Sequence, residues 1–118
     1  MAGHEIRRGE VWLVNLEPVV GKEIGKVRPC LIIQNDIGNE RSPLTIFAPI
    51  TGVKHLERHY PFQVFVPSGE GGLTKDCIIL LDQIRTRDKP RIIEYVGKLS
   101  SSTMAQVDQA IKISLQLQ

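Results

Sequence analysis

Unbroken apolar runs and short alternating stretches fill most of the chain, and a 3.6-residue rhythm sets in only at its end. After a polar arm over residues 1–8, Glu10–Leu16 (Glu-Val-Trp-Leu-Val-Asn-Leu) is rich in β-formers and predicts a first strand. Gly21–Lys26 is a charged loop with glycine near both ends. Val27–Gln34 predicts a second strand, and its core Cys30–Ile33 is wholly apolar, as in a strand covered on both faces. Pro29 cannot donate to a ladder, so it belongs at the strand's first residue or on an edge. It also biases Arg28 toward an extended backbone, which sets a guanidinium at the mouth of the strand.

Asn35–Asn39 is dense in turn formers. Leu44–Ile50 predicts a third strand, with Pro49 marking an edge or strand end and Thr51 following it. Gly52–Pro61 reads as an irregular loop, Phe62–Val66 as a short strand and Pro67–Gly72 as a loop. Cys77–Leu81 predicts a buried strand, Asp82–Thr86 is ambiguous, and Arg91–Val96 predicts a sixth strand after a turn at Asp88–Pro90. Met104, Val107, Ala110, Ile111 and Leu115 then recur at helical spacing behind Ser100, a good N-cap, which predicts a helix from about Ser101 to Leu117. Five or six short strands and one closing helix imply a mainly β fold: a small, curled, partly closed barrel with the helix packed at one side.

Composition narrows the class. At 118 residues the chain is one domain, residues 1–118, long enough for one core. No apolar run approaches the ~20 residues needed to span a bilayer. The first ten residues lack the apolar core of a signal peptide, so a cytoplasmic protein is expected. Cys30 and Cys77 each sit inside an apolar run and read as buried free thiols rather than a disulfide. The net charge of +2 proves no anionic partner, so any such case rests on where the charges lie.

Candidate chemistry is sparse. The cysteines are isolated, and His55 and His59, four apart, lack the zincin Glu after the first His, so no metal or cofactor is expected. Ser68 in Pro-Ser-Gly-Glu-Gly is not a nucleophile elbow. Arg85, Arg87, Lys89 and Arg91 recur at every second position, a spacing that gathers side chains on one face of a strand. With Arg7, Arg8, Lys22, Lys26 and Arg28 they put nine of the fifteen basic residues into three short stretches. A solvated charged rim and a phosphate-tracking groove both fit that pattern. Arg28 and Thr51 both stand at strand ends beside loops, where scaffolds place function.

Arg8-Gly9-Glu10-Val11-Trp12, Pro18-Val19-Val20-Gly21, Val27-Arg28-Pro29 running into Cys30–Asp36, Pro49-Ile50-Thr51 and Leu80–Thr86 together resemble the MazF/PemK toxins of toxin–antitoxin systems, most closely their Gram-positive-type branch. The likeness runs from about Arg7 to Leu117. It implies an SH3-like barrel with a C-terminal helix, usually a homodimer, and a metal-independent endoribonuclease acting on single-stranded RNA. It also implies a cognate antitoxin whose flexible acidic tail covers the site. On this likeness Arg28 and Thr51 are the catalytic residues, with RNA contacts at Arg8, Lys22, Glu23, Gln83 and Arg85. Lys22 stands where relatives often carry a small residue. A gyrase-binding toxin of the same barrel class, without enzymatic activity, is the main rival.

Overall fold

The computed structural model describes residues 5–53 and 60–118. Seven antiparallel strands form one curled, open sheet: β1 (Glu10–Asn15), β2 (Val27–Ile32), β3 (Leu44–Gly52), β4 (Gln63–Val66), β5 (Cys77–Leu80), β6 (Arg85–Asp88) and β7 (Ile92–Lys98). Helix α1 (Asp36–Arg41) joins β2 to β3, and α2 (Ser101–Ser114) closes the chain. The strand order is β4-β5-β3-β2-β1-β7, with β6 also on β3. This is the expected mainly β, partly closed SH3-like barrel with a C-terminal helix.

Alternation along the strands gives the sheet two apolar faces. On one, Val11, Leu31, Ala48, Ile50, Val64, Val66 and Ile79 pack with Leu99, Val107 and Ala110 of the helical end. On the other, Trp12, Val14, Leu16, Cys30, Ile32, Phe47 and Ile92 pack together, and Ile24 of the β1–β2 loop leans on them. A fully buried side chain such as Val107 contributes about 1.5–3 kcal/mol. Ser100 caps α2 through its Oγ, which accepts from Thr103 N–H.

Several elements depart from expectation. Asn35–Asn39 is not a plain turn: Asn35 Oδ1 accepts from Gly38 N–H at 2.8 Å and starts α1. Asn39 is then buried and shares Oδ1 between Gln34 Nε2 and the Thr45 hydroxyl. The ambiguous Asp82–Thr86 stretch resolves into a turn and strand β6, whose polar residues are held by pairing with β3 and of which only Arg85 is buried. Leu115 does not extend the buried stripe; it is 56% exposed beyond the end of α2.

Pro49 lies inside the longest strand rather than at an edge. It pairs with Cys30 on the β2 side. On the other side β6 pairs through Phe47 and β5 begins at Ile50, so Ala48 and Pro49 face residues 80–84 without ladder pairing. A residue with no N–H fits that gap. Pro29 is likewise inside β2, where only β1 pairs with it. The gap opposite Pro49 is where the chain swings outward as the β5–β6 turn.

Candidate functional site

The site begins with the β2–β3 register. Cys30 pairs with Pro49, Leu31 with Ala48 and Ile32 with Phe47. The ladder ends there, and alternation along each strand puts Arg28, two residues before Cys30, and Thr51, two residues after Pro49, on the sheet face that carries Cys30. Phe47 also pairs with Arg85 on its other side, which puts the Arg85 side chain on the same face. Three polar side chains from β2, β3 and β6 thus border one strip of sheet.

Arg28 is half-buried, and its Nε donates to the Gly25 carbonyl at 2.9 Å. Among the described residues the two Nη groups have no hydrogen-bond partner. Thr51 is half-exposed. Arg85 is only 7% exposed. Its Nη2 donates to Gln83 Oε1 at 3.3 Å, and its Nη1 is buried without a partner. An unmet guanidinium donor in such a place carries a desolvation cost that a bound anion would relieve.

Cys30 reports on both cations. Burial pushes its thiol up to about 12, and the charges of Arg85 and then Arg28 pull against that rise. The ion pairs among the described residues are Arg7–Glu5, Arg8–Asp108 and Arg91–Asp88, so neither Arg28 nor Arg85 has a carboxylate counter-ion there. Two guanidiniums on one face, with no carboxylate paired to either among the described residues, form a positive site suited to a phosphate.

A cavity of about 280 Å³ adjoins Arg85, walled by Lys22, Glu23, Asp82, Gln83, Ile84 and Arg85. It lies between the β1–β2 loop and the β5–β6 turn. Gln83 Oε1 accepts from Ile24 N–H at 3.0 Å and ties the two segments together. Glu23 Oε1 accepts from Val20 N–H within the loop.

The structure therefore gathers Lys22, Glu23, Gln83 and Arg85 around one cavity, and puts Arg28 and Thr51 on the sheet face shared with Arg85. Arg8 is elsewhere. Its Nε donates to the Ile33 carbonyl and its Nη2 to Asp108, five residues along β2 from Arg28, or roughly 16 Å. The every-second-residue basic pattern also breaks up. Lys89 Nζ donates to the Asn39 carbonyl, and Arg91 pairs with Asp88 and donates to the Glu17 carbonyl. Asp82 and the backbone N–H of Ile24 belong to the site and carried no signal of their own in the sequence. The His55–His59 segment lies outside the described residues; among those described, no three His, Cys, Asp or Glu side chains could hold a metal ion together. No helix among them is long and apolar enough to cross a membrane.

Solved structures share this fold across nearly the whole chain. The MazF of Deinococcus radiodurans superposes with a TM-score of 0.81 at 24% identity, covering 98% of this chain and 100% of that one. A mycobacterial endoribonuclease bound to its cognate antitoxin gives 0.78 at 23% identity, over 96% and 97% of the two chains. A further mycobacterial endoribonuclease gives 0.77 at 22% identity, over 99% and 97%. A family model described as the PemK-like, MazF-like toxin of type II toxin–antitoxin systems matches residues 7–115, and the chain belongs to that family.

Proposed function

We propose that the protein is a sequence-specific endoribonuclease that cleaves single-stranded RNA and so halts translation and growth, and that a cognate antitoxin neutralises it. The observation that supports this reading best is the shared face of Arg28, Thr51 and Arg85, where among the described residues no carboxylate pairs with either arginine and one guanidinium nitrogen is unmet. The family and the endoribonuclease neighbours point the same way.

In this reading RNA supplies its own nucleophile. The 2′-oxygen bonds to the adjacent phosphorus, the bond from phosphorus to the 5′-oxygen breaks, and a proton passes from the 2′-hydroxyl to solvent or a base while another reaches the leaving oxygen. The products are a 2′,3′-cyclic phosphate and a 5′-hydroxyl. Negative charge spreads over the phosphoryl oxygens in the transition state. The free Nη groups of Arg28 stabilise it in bidentate fashion, which suits a guanidinium better than an ammonium. The Thr51 hydroxyl donates to the same phosphate. Such a fixed donor is worth about 2.7–4 kcal/mol. Arginine keeps its proton at neutral pH, so Arg28 acts as a charge stabiliser, and Glu23 on the β1–β2 loop is the candidate base.

Lys22 and Arg85 hold neighbouring phosphates, while Gln83 and Glu23 read the edges of splayed bases. Arg8 contacts RNA beyond the cavity. A duplex hides those edges and resists cleavage; DNA lacks the nucleophile and stays intact. The working form is a cytoplasmic homodimer, and the antitoxin covers the cationic face with a flexible acidic tail.

Mapping RNA ends after incubating the protein with a pool of long transcripts in EDTA tests the reading. New cyclic-phosphate ends at one short recognition word are expected. Intact RNA, cleaved DNA or ends bearing a 5′-phosphate would overturn it.

A further inference from the structure

The β1–β2 loop is fastened at its neck. Leu16 N–H donates to the Lys26 carbonyl at 3.0 Å. Beside it, Lys26 N–H donates to Glu17 Oε2 at 2.5 Å. The peptide unit carrying that N–H is the one whose carbonyl belongs to Gly25. That carbonyl accepts Arg28 Nε–H at 2.9 Å. One rigid amide plane therefore stands between a carboxylate and the guanidinium of Arg28.

We propose that Glu17 is a positioning residue for Arg28, acting through the Gly25–Lys26 peptide. The inference rests on the reading of Arg28 as the group that stabilises the scissile phosphate. A trans peptide points its N–H and C=O in opposite directions, so holding the first aims the second. A charged acceptor on the N–H also polarises the amide and makes its carbonyl a stronger partner for Nε–H. The guanidinium plane is fixed, and both Nη groups remain for substrate.

Two further features fit this relay. A Cβ at Gly25 would overlap Glu17 Oε2, so the absent side chain leaves room for the carboxylate. Lys26 has φ of 68°, a left-handed conformation that non-glycine residues hold only when the surroundings enforce it. The Glu17 backbone is itself anchored, since Arg91 donates to its carbonyl and pairs with Asp88 at 3.5 Å. That gives Arg91 a supporting task, separate from any phosphate contact.

The test joins an NMR readout to kinetics. The Arg28 Nε–H resonance is assigned by its absence from Arg28→Lys. In wild type it should be shifted and slow to exchange. Glu17→Ala should return it to the solvent-exposed position and lower the single-turnover cleavage rate roughly 10- to 100-fold, with KM for RNA little changed. Glu17→Gln keeps an oxygen acceptor and should restore most of both. Gly25→Ala, which crowds the carboxylate out, should reproduce the Glu17→Ala result by a different route. In an Arg28→Lys background, Glu17→Ala should cost little more, because the two changes act on one group. An Nε–H resonance unmoved by Glu17→Ala, or rate losses that simply multiply, would overturn the relay. A resonance that follows Glu17 while Arg28→Lys leaves cleavage unchanged would preserve the relay and remove the catalytic role of Arg28.

Discussion

Ile24 and Gln83, distant in sequence, are joined by a 3.0 Å hydrogen bond from the backbone N–H of the first to Oε1 of the second. The same oxygen receives Arg85 Nη2 at 3.3 Å. A base edge that sought Gln83 Oε1 would have to displace one of these donors. Gln83→Ala should therefore loosen the β1–β2 loop in the free protein. Amide exchange at Ile24 should quicken about 2- to 13-fold, the range for a hydrogen bond worth roughly 0.5–1.5 kcal/mol. Hydrogen-exchange NMR checks this, and the cleavage word should become less strict in the same variant.

Arg85 should separate stability from activity. Its Nη1 is buried and unmet, an arrangement that costs about 1–3 kcal/mol. Arg85→Met keeps most of the volume and removes the unmet donor, so the thermal midpoint should hold or rise. RNA binding should weaken about 10- to 150-fold, the equivalent of a charge-assisted hydrogen bond of roughly 1.5–3 kcal/mol. Calorimetry and a salt-controlled binding titration read the two effects separately. A lower midpoint with unchanged binding would make Arg85 an ordinary structural residue.

Acid sensitivity should come from two carboxylates away from the cleft. The Arg8 backbone N–H holds Asp36 below its ordinary range, and the Thr103 hydroxyl followed by the Ser100 N–H and hydroxyl do the same for Glu70. A carboxylate with a lowered folded pKa stabilises the fold above its unfolded value near 4, and that contribution is lost as pH falls through the folded value. Thermal melts from pH 6 down to pH 3 should show a falling midpoint. The Asp36→Asn/Glu70→Gln double variant should start lower at pH 6 and fall less.

The thiols should be silent in the folded protein. Both cysteines are free and buried, and burial raises both pKa values, Cys30 up to about 12. At pH 8 neither should react with an alkylating reagent over the time in which a model thiol of pKa about 8.5 is consumed. Mass spectrometry should find two labels per chain only after denaturation. Rapid native labelling of Cys30 would mean that the sheet face between Arg28 and Arg85 opens readily.

What could be read from the chain alone followed burial. Cys30–Ile33 and Cys77–Leu80 are apolar because both faces of the sheet are covered, and such strands announce themselves. Strand β6 did not, because Arg85–Asp88 is polar and becomes a strand only through its ladder to β3. Helix α1 was hidden by the same residues that make it: Asn35 and Asn39 read as turn formers until one caps and the other is buried. Pro49 pointed to an edge by the usual rule and instead marks an unpaired stretch inside β3. At the site, strand-end positions beside loops drew attention to Arg28 and Thr51, and the resemblance supplied their catalytic role. The strand pairing that brings them to one face is long-range. So is the fate of each basic residue: Arg85 goes inside, Arg8 is held by Asp108, and Lys89 and Arg91 brace backbone carbonyls. One-dimensional charge spacing does not separate these cases.

The proposed cleavage turns on the geometry of one guanidinium, and Arg28→Lys keeps the charge while removing the fork. Single-turnover cleavage of an unstructured transcript in EDTA, with binding measured on a 2′-deoxy analogue, is the most direct test. The rate should fall about 100- to 1,000-fold while the dissociation constant stays within about threefold. Near-wild-type turnover by Arg28→Lys would contradict the account.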